Sequence, residues 1–252
     1  MTYQTLLLDQ SEGITTLTLN RPEVLNALSP QLVQELRQAV AQVAMDRSIR
    51  VLVVRGAGRA WSAGVDLKAL QAGIQEGQFT EAGILEDGLA LIRDLQTMPQ
   101  ATIAQVHGHV YTGALELMMA FDLVVAASDT RLGDTHAKWG ILPKWGMTQR
   151  LPRLVGLRKA KEMSFAAQAI TGEEAARLGL VNRAVASEEL ETTVAEFCTA
   201  ICANSAQTIA AMKQLYHQGW QGTLARGLQG ELDWETPVSD RGDFLRDFEQ
   251  HK

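Results

Sequence analysis

Segments with helical periodicity alternate with short, wholly apolar segments along this chain, and that alternation restricts the fold more than any other feature. Residues 30–45 place apolar side chains at helical spacing, and Ser29 stands where a helix N-cap is expected. The run IRVLVVRG (49–56) follows, and a continuous apolar run ended by glycine is typical of a strand buried on both faces. The runs ATIAQVHG (101–108) and DLVVAASD (122–129) repeat this pattern after further helical segments. The alternation predicts an α/β protein in which helices cross over between the strands of a sheet.

The segments around this alternation predict further elements. Residues 2–20 contain two β-rich runs, TYQTLLLDQ and GITTLTLN, joined by a short Ser-Glu-Gly turn, which predicts a hairpin. The Gly-rich section 68–88 has only weak periodicity and predicts a mobile loop with some helix. Residues 188–252 are helical in pattern nearly throughout. The sequence therefore predicts an α/β body followed by a helical C-terminal segment.

Composition and charge exclude several classes of protein. The chain has 252 residues, of which 46% are apolar and 21% charged, and this balance favours a folded globule over a disordered or collagen-like chain. The formal net charge is −6 at pH 7, and a chain of this acidity has no broad basic surface for a phosphate backbone. We therefore predict no nucleic-acid partner, while local Lys and Arg residues leave anionic small molecules open.

Cysteine usage and the chain ends predict the compartment. Cys198 and Cys202 are four residues apart in a helical run, and no Cys or His nearby completes a metal site, so we interpret them as small core residues. Residues 101–127 are apolar over the length of a bilayer, but their His, Glu, Asp and Gly residues favour a buried strand, turn and helix. The first residues show no signal-peptide pattern, and the last residues, DFEQHK, are not a peroxisomal address. We predict a cytoplasmic protein with no membrane partner and no metal site.

Glycines follow two of the predicted strands, at the positions where α/β sheets bind ligands. The segments are WSAGVDLK (61–68) and HGHVYTGALE (107–116). Small residues let a ligand approach the main chain, and free N–H groups at a helix start can stabilise an oxygen that becomes negative. The same turns are also needed merely to pass from strand to helix, so both interpretations stay open. Neither segment matches a phosphate-loop or dinucleotide fingerprint, and we predict no cofactor.

Glu116 is unusual because it lies in a helix that is otherwise apolar on all sides. The helix N-terminus favours the carboxylate, whereas apolar neighbours favour the neutral acid. A carboxyl group under two opposed influences suits a residue that must both accept and donate a proton. Taken by itself, Glu116 fits a structural first-turn glutamate as well as a catalytic one.

Several motifs in register resemble one family. NRPEVLNAL, RAWSAGVDLKAL, VHGHVYTGALELMMAFDLVVAASD, GILPKWGMTQRLPRLVG and ITGEEAARLGLVNRAV are similar to segments of the enoyl-CoA hydratase/isomerase, or crotonase, superfamily. The resemblance extends from Met1 to Val185. It implies a spiral of repeated ββα units over residues 1–190 and a helical oligomerisation segment over residues 191–252. It further implies an acyl-CoA substrate and assembly into a homotrimer or homohexamer.

The resemblance also assigns roles to individual residues. It places oxyanion-hole N–H groups on Val65 and Gly113 and a catalytic carboxyl group on Glu116. His136 stands where hydratases of the family carry a second catalytic glutamate. The backbone segments that the resemblance places along the substrate contain Leu25, Ala27, Ala63, Gly64, Asp66, Leu67 and Lys68.

The histidine decides which reaction is expected. An imidazole can accept a proton from water or donate one as a cation, so Glu116 and His136 can still form an acid/base pair. We therefore predict hydration of a 2-enoyl-CoA, with Glu116 as the base and His136 as the acid or a second ligand of the water. Asp134 is placed to orient His136, and Lys144 with Trp145 replaces small residues usual in the family and reshapes the acyl pocket. Isomerisation, decarboxylation or thioester hydrolysis through Glu116 alone, and a non-catalytic acyl-CoA-binding subunit, remain alternatives.

Overall fold

A computed structural model describes residues 3–242 of the chain. Its strands are β1 (Leu6–Ser11), β2 (Ile14–Leu19), β3 (Val51–Gly56), β4 (Ala101–Val106), β5 (His109–Tyr111), β6 (Leu123–Ala127), β7 (Arg131–Gly133), β8 (Ile170–Thr171) and β9 (Arg183–Val185). A six-stranded sheet has the order β1-β2-β3-β4-β6-β9, and a small sheet has the order β5-β7-β8. The large sheet is parallel except for the β1–β2 pair, because the other strands are linked by crossovers.

Helices fill the crossovers and form the C-terminal part of the described chain. They are α1 (Pro30–Met45), α2 (Leu67–Gln75), α3 (Glu81–Thr97), α4 (Gly113–Met118), α5 (His136–Trp139), α6 (Met147–Val155), α7 (Leu157–Phe165), α8 (Gly172–Leu178), α9 (Leu190–Cys202), α10 (Ala206–Trp220) and α11 (Leu224–Leu232). Two 3₁₀ turns occur at Pro22–Val24 and Ser187–Glu189. The predicted α/β class with a C-terminal helical segment is confirmed.

Local sequence signals account for the first elements. The hairpin pairs Ser11 with Ile14, and the two residues between them, Glu12 and Gly13, have φ values of 50° and 79°. Both φ values are positive, as in the tight turns that suit the twist of a two-stranded ribbon. Helix α1 begins where predicted, since the Ser29 side chain accepts a hydrogen bond from the N–H of Leu32 at 3.1 Å.

Strand β3 is buried on both faces, as its apolar run predicts. Leu52 and Val54 face the main hydrophobic core, which also contains the apolar sides of α1 and α3. Val51 and Val53 face the opposite side and pack in a cluster with α9. The alternation of side chains along a strand explains why both sets must be apolar.

The section from residue 68 to residue 88, predicted as a mobile loop with some helix, is mostly helical, because α2 and the first half of α3 occupy it. Glycines weaken the helical pattern here, and the structure shows why small residues are required. A side chain at Gly73 would overlap the ring of Phe79, and one at Gly88 would overlap the ring of Trp145. The glycines therefore make room for aromatic rings, and their cost to helix propensity is about 1 kcal/mol each.

The C-terminal helices pack against the body at particular points. On α9, Leu190, Val194 and Cys198 join the cluster on the sheet. On α10, the Nζ of buried Lys213 lies 2.7 Å from Asp122 Oδ2. The division at residues 190 and 191 stays a prediction, and residues 243–252 of the predicted tail lie outside the described residues. Within the described part of the chain, the helices are all too short or too polar to cross a bilayer.

Candidate active site

A cavity of about 990 Å³ opens beside the carboxyl end of β3. Its wall is formed by the segment after β3, the start of α4, the segment from Thr135 to Trp145, and the first turn of α3. Position at the carboxyl ends of parallel strands is the usual place for a ligand in an open α/β sheet. The cavity is therefore the natural candidate for the active site.

Three chain segments lie side by side along one wall of this cavity. The N–H of Ala63 donates to the carbonyl oxygen of Leu25 at 3.0 Å, and the N–H of Leu28 donates to that of Gly64 at 2.8 Å. On the other side, the N–H of Ser62 donates to the carbonyl oxygen of His109 at 3.1 Å. The segment 61–66 is thus held on both edges, and its backbone is positioned before any ligand arrives.

Asn26 is a structural residue that the sequence analysis missed. Its side chain is fully buried, its Nδ2 donates to the carbonyl oxygens of Ala57 and Ala60 at 2.8 Å each, and its Oδ1 accepts the N–H of Arg21 at 2.8 Å. Leu25 and Asn26 both have positive φ values, 55° and 52°, which non-glycine residues rarely adopt. The buried amide therefore holds a strained turn in place against the cavity wall.

The segments that carry Val65 and Gly113 are in direct contact. Gly64 has a φ of 101°, and an added Cβ would meet the carbonyl oxygen of Tyr111 at 2.7 Å and overlap the Thr112 hydroxyl. A Cβ on Gly113 would lie 2.9 Å from Cγ2 of Val65. Two glycines at facing positions thus allow the two backbones to approach each other.

Their N–H groups are available to a ligand. Gly113 is the first residue of α4, so its N–H has no partner inside the helix. Thr112 precedes it with a φ of 48° and provides no side-chain cap. Among residues 3–242, neither Val65 nor Gly113 has an acceptor for its N–H group. Two unpaired donors on touching segments form the kind of pair that stabilises an oxyanion.

Glu116 lies one turn into α4 and is only 2% exposed. Its Oε1 accepts N–H groups from Trp145 at 2.8 Å and Met147 at 2.9 Å. Burial raises the pKa of Glu116 above its ordinary value, although these two N–H groups and the neighbouring His136 act to lower it. One carboxyl oxygen is therefore held by the main chain, and the other is left for chemistry.

That second oxygen faces His136. Glu116 Oε2 lies 3.7 Å from His136 Nε2, a separation longer than a direct hydrogen bond but suitable for a shared water oxygen. The other ring nitrogen, Nδ1, lies 2.6 Å from Oδ1 of Asp134. The imidazole is thus fixed between two carboxyl groups, as the sequence analysis anticipated for Asp134.

Asp134 is itself buried and fully hydrogen-bonded. Its Oδ1 also accepts the N–H of His136 at 3.1 Å, and its Oδ2 accepts the hydroxyl of Ser164 at 2.6 Å. Burial alone would raise the pKa of Asp134, but these hydrogen bonds and His136 outweigh burial and lower it. An ionised Asp134 accepts a hydrogen bond from the Nδ1–H group of His136, and this arrangement leaves Nε2 directed toward Glu116.

The cavity brings together most of the residues that the sequence assigned to the site. Its wall includes Ala27, Ala63, Val65, Asp66, Leu67, Lys68, Gly113, Glu116 and His136. Leu25 and Gly64 lie behind that wall, where their carbonyl oxygens hold Ala63 and Leu28. Asp66 has a structural task as well, because it pairs with Arg21 at 2.9 Å and caps α2 through the N–H of Ala69.

Several residues of the site had no signal in the sequence. Ser164 is 30 residues from Asp134 along the chain, and the N–H of Met147 is 31 residues from Glu116. A serine in an amphipathic helix and a main-chain donor in a turn have no distinguishing local pattern. Only the packing of α7 and of the turn before α6 brings them to the carboxyl groups.

The described residues also show what the site lacks. Among residues 3–242, no group of three or more His, Cys, Asp or Glu side chains is arranged to hold a metal ion. Cys198 and Cys202 are both unpaired, and burial raises the pKa of the Cys198 thiol to about 11. This thiol is held in its unreactive, protonated form at neutral pH.

The fold and site are those of an enzyme, with two unpaired main-chain N–H groups and a carboxyl–imidazole pair on one cavity. Comparison with known proteins identifies the family. The family model described as enoyl-CoA hydratase/isomerase matches residues 9–244, and the chain belongs to that family.

Individual relatives agree with this assignment. The chain is 33% identical to a crotonyl-CoA hydratase of Syntrophomonas wolfei over 234 residues, covering 92% of this chain and 89% of the relative. It is 33% identical to a short-chain-enoyl-CoA hydratase of Clostridium acetobutylicum over 235 residues, covering 92% and 88% of the two chains. The solved structure of an enoyl-CoA hydratase from Bacillus anthracis superimposes with a TM-score of 0.90 at 32% identity, covering 99% of this chain and 97% of that one.

Proposed function

We propose that this protein is an enoyl-CoA hydratase, which adds water across the 2,3 double bond of an enoyl-CoA thioester or catalyses the reverse reaction. The observation that carries the proposal is the placement of Glu116 and His136, 3.7 Å apart, on the same cavity as the unpaired N–H groups of Val65 and Gly113. Relatives named as hydratases of crotonyl-CoA and short-chain enoyl-CoA support the same activity.

The two N–H groups act on the thioester carbonyl. When water adds to C3, negative charge moves onto the carbonyl oxygen as an enolate, and donors directed at that oxygen stabilise the charge as it forms. Removal of one such donor typically costs roughly 10²- to 10³-fold in rate. Val65 and Gly113 therefore provide the largest single contribution to catalysis in this proposal.

Glu116 and His136 handle the water. A water between Glu116 Oε2 and His136 Nε2 gives its proton to the carboxylate while its oxygen bonds to C3. His136 in its protonated form, held by Asp134 through Nδ1, gives its Nε2 proton to C2, so one proton enters the pair and another leaves it. Proton transfer from Glu116 back to His136 then restores the starting state. Burial moves the pKa of Glu116 upward, toward neutral pH, and this makes the carboxylate a stronger base.

The backbone around Ala27 and the segment 65–68 line the cavity beside the reacting groups and are proposed to lie along the CoA moiety. Lys68 is exposed at the cavity and supplies a positive charge for the CoA phosphates. The substrate brings its own activating group, and the proposal includes no further cofactor.

The proposal extends to assembly, location and pathway. Helix α11 exposes Leu224, Leu228 and Leu232 to the extent of 80, 52 and 80%, and an apolar stripe of this kind suits a subunit interface, for which we propose a homotrimer or a homohexamer built from trimers. The unpaired Cys198 and Cys202 are consistent with the reducing cytoplasm. Hydration of enoyl thioesters places the protein in fatty-acid metabolism.

The test is to mix purified protein with crotonyl-CoA and follow the loss of the conjugated thioester absorbance. We expect turnover by the wild type and a strong reduction in His136→Ala. Binding of crotonyl-CoA without turnover would favour a non-catalytic subunit instead, and turnover of a 3-enoyl-CoA alone would favour isomerisation. Unchanged turnover in His136→Ala would refute the paired mechanism even if hydration occurred.

A further inference from the structure

Trp145 is buried in the cavity wall, next to Glu116. Its side chain and backbone are only 3% exposed in total, yet the residue forms part of the cavity wall. The indole Nε1 donates to the carbonyl oxygen of Leu85 at 3.2 Å, which ties the ring to α3. This hydrogen bond therefore holds the ring in one orientation.

Two glycines accommodate this ring, one on each side. An added Cβ at Gly88 on α3 would overlap the six-membered part of the indole. An added Cβ at Gly113 would lie 3.0 Å from Cζ3 of the same ring. The indole thus fills the space between the middle of α3 and the first residue of α4, without a gap on either side.

The cavity wall around the indole is apolar. Leu70, Ile84 and Leu85 line the cavity together with Trp145, and they contribute apolar surface to its wall. Gly113, whose N–H faces the thioester oxygen in the proposed function, is in contact with the indole. An acyl chain whose thioester is held at Gly113 therefore starts close to the indole.

We propose that Trp145 sets the acyl-chain length and restricts the enzyme to short-chain enoyl-CoA substrates. The inference rests on the proposed function, because it takes the thioester to be held at Val65 and Gly113. The ring fills the space between Gly88 and Gly113 and is hydrogen-bonded to Leu85, so an acyl chain that extends to it must displace buried atoms. One methylene that does not fit a hydrophobic pocket changes kcat/KM by roughly 10- to 200-fold.

The experiment compares crotonyl-, trans-2-hexenoyl- and trans-2-decenoyl-CoA on the wild type and four variants. Trp145→Ala removes the ring but keeps the N–H that holds Glu116, and Trp145→Phe removes part of the ring. Gly88→Ala places a Cβ that overlaps the indole, so the ring must shift from its present position. Gly83→Ala is the matched control, because it makes the same change in the same helix and meets only the Thr80 hydroxyl, at 3.0 Å. Circular dichroism and thermal unfolding establish that each variant is folded.

We expect Trp145→Ala to raise the ratio of decenoyl to crotonyl kcat/KM by roughly 10- to 200-fold, with Trp145→Phe between it and the wild type. Gly88→Ala should lower the ratio of hexenoyl to crotonyl kcat/KM by about 10-fold, while Gly83→Ala leaves it unchanged. Equal ratios in the wild type, Trp145→Ala and Gly88→Ala would overturn the inference. If Trp145→Ala is unfolded, the comparison of Gly88→Ala with Gly83→Ala decides: a lower ratio in Gly88→Ala alone supports the inference, and equal ratios in the two variants overturn it.

A second readout separates this inference from the proposed function. Affinities for the saturated butyryl-, hexanoyl- and decanoyl-CoA thioesters are measured by calorimetry, which needs no turnover. Absence of turnover of every enoyl-CoA would contradict the proposed hydratase activity, whereas a preference for butyryl-CoA that Trp145→Ala abolishes would still support the inference. Tight binding of decanoyl-CoA to the wild type would refute it whether or not the protein is a hydratase.

Discussion

Replacement of Glu116 by glutamine should slow the reaction and stabilise the folded protein at the same time. The carboxyl group is 2% exposed, and its Oε1 accepts two main-chain N–H groups. A glutamine oxygen can keep both hydrogen bonds, and its amide nitrogen then takes the position that faces His136. The substitution therefore removes the charge and the proton-accepting oxygen but little of the packing.

The loss of activity follows from the role of the missing oxygen. A positioned general base typically contributes roughly 10²- to 10⁴-fold to the rate. Because Glu116 Oε2 is the group that takes the proton of the water, we expect kcat for crotonyl-CoA to fall by about that factor. KM should change little, since the N–H groups of Val65 and Gly113 still hold the thioester.

The gain in stability follows from the direction of the pKa shift. Burial raises the pKa of Glu116 above its ordinary value of 4.5, so the folded state resists ionisation more than the unfolded state does. The contribution of Glu116 to the free energy of unfolding is therefore most favourable below pH 4.5, where the group is protonated in both states. It falls as the pH rises from 4.5 through the folded-state pKa. A neutral glutamine weakens the two N–H bonds by about 1 kcal/mol each but avoids a desolvation cost of several kcal/mol. The net gain at neutral pH should be on the order of 1 kcal/mol.

Urea unfolding of the wild type and Glu116→Gln, just below pH 4.5 and at neutral pH, measures this difference. Glu35→Gln on α1 is the control, because its expected change in stability at neutral pH has the opposite sign. Although burial raises the pKa of Glu35, hydrogen bonds from Thr5, Gln4 and Gln31 outweigh it and lower that pKa, so its replacement should destabilise the protein at neutral pH. A Glu116→Gln protein that is less stable than the wild type at neutral pH, or a gain that is the same at both pH values, would refute the reasoning.

Two further substitutions test the rest of the site. In Asp134→Asn, the N–H of His136 should still bond the amide oxygen at Oδ1, so the imidazole keeps its orientation but loses the neighbouring charge, and we expect kcat to fall roughly 10²-fold. Asp134→Ala also leaves the Ser164 hydroxyl without its acceptor and should lower kcat by up to roughly 10⁴-fold. Equal kcat values for Asp134→Asn and the wild type in steady-state assays would count against a role for the charge. Gly113→Ala should lower kcat/KM by roughly 10²- to 10³-fold. Its Cβ would lie 2.9 Å from Val65 and 3.0 Å from Trp145, and this crowding displaces the N–H donor of residue 113. A folded variant with wild-type kinetics would contradict the oxyanion-hole assignment.

The local sequence determined the elements that hold the site. Ser29 with the apolar spacing of residues 30–45 specified α1, and the run from Val51 to Gly56 specified a strand buried on both faces. These predictions succeed because capping and side-chain periodicity depend on residues only a few positions apart. Motifs in register then indicated the family, and with it the candidate oxyanion and proton-transfer residues.

The same local signals failed where a residue serves a distant partner. Gly88 weakens the pattern of α3, and the predicted loop was the result. Its purpose is visible only when Trp145, 57 residues later, is packed against it. Asn26, in the same way, has positive φ and a buried amide because the turn at Ala57 to Ala60 needs its hydrogen bonds.

The sequence by itself therefore determined the α/β class, elements such as α1 and β3, and the identities of Glu116 and His136. The tertiary structure decided what those two groups can do. It placed main-chain donors on one oxygen of Glu116, the Ser164 hydroxyl on Asp134 and an indole in the cavity wall. Each of these contacts joins residues on different elements, and its free energy depends on burial and distance that no local pattern specifies.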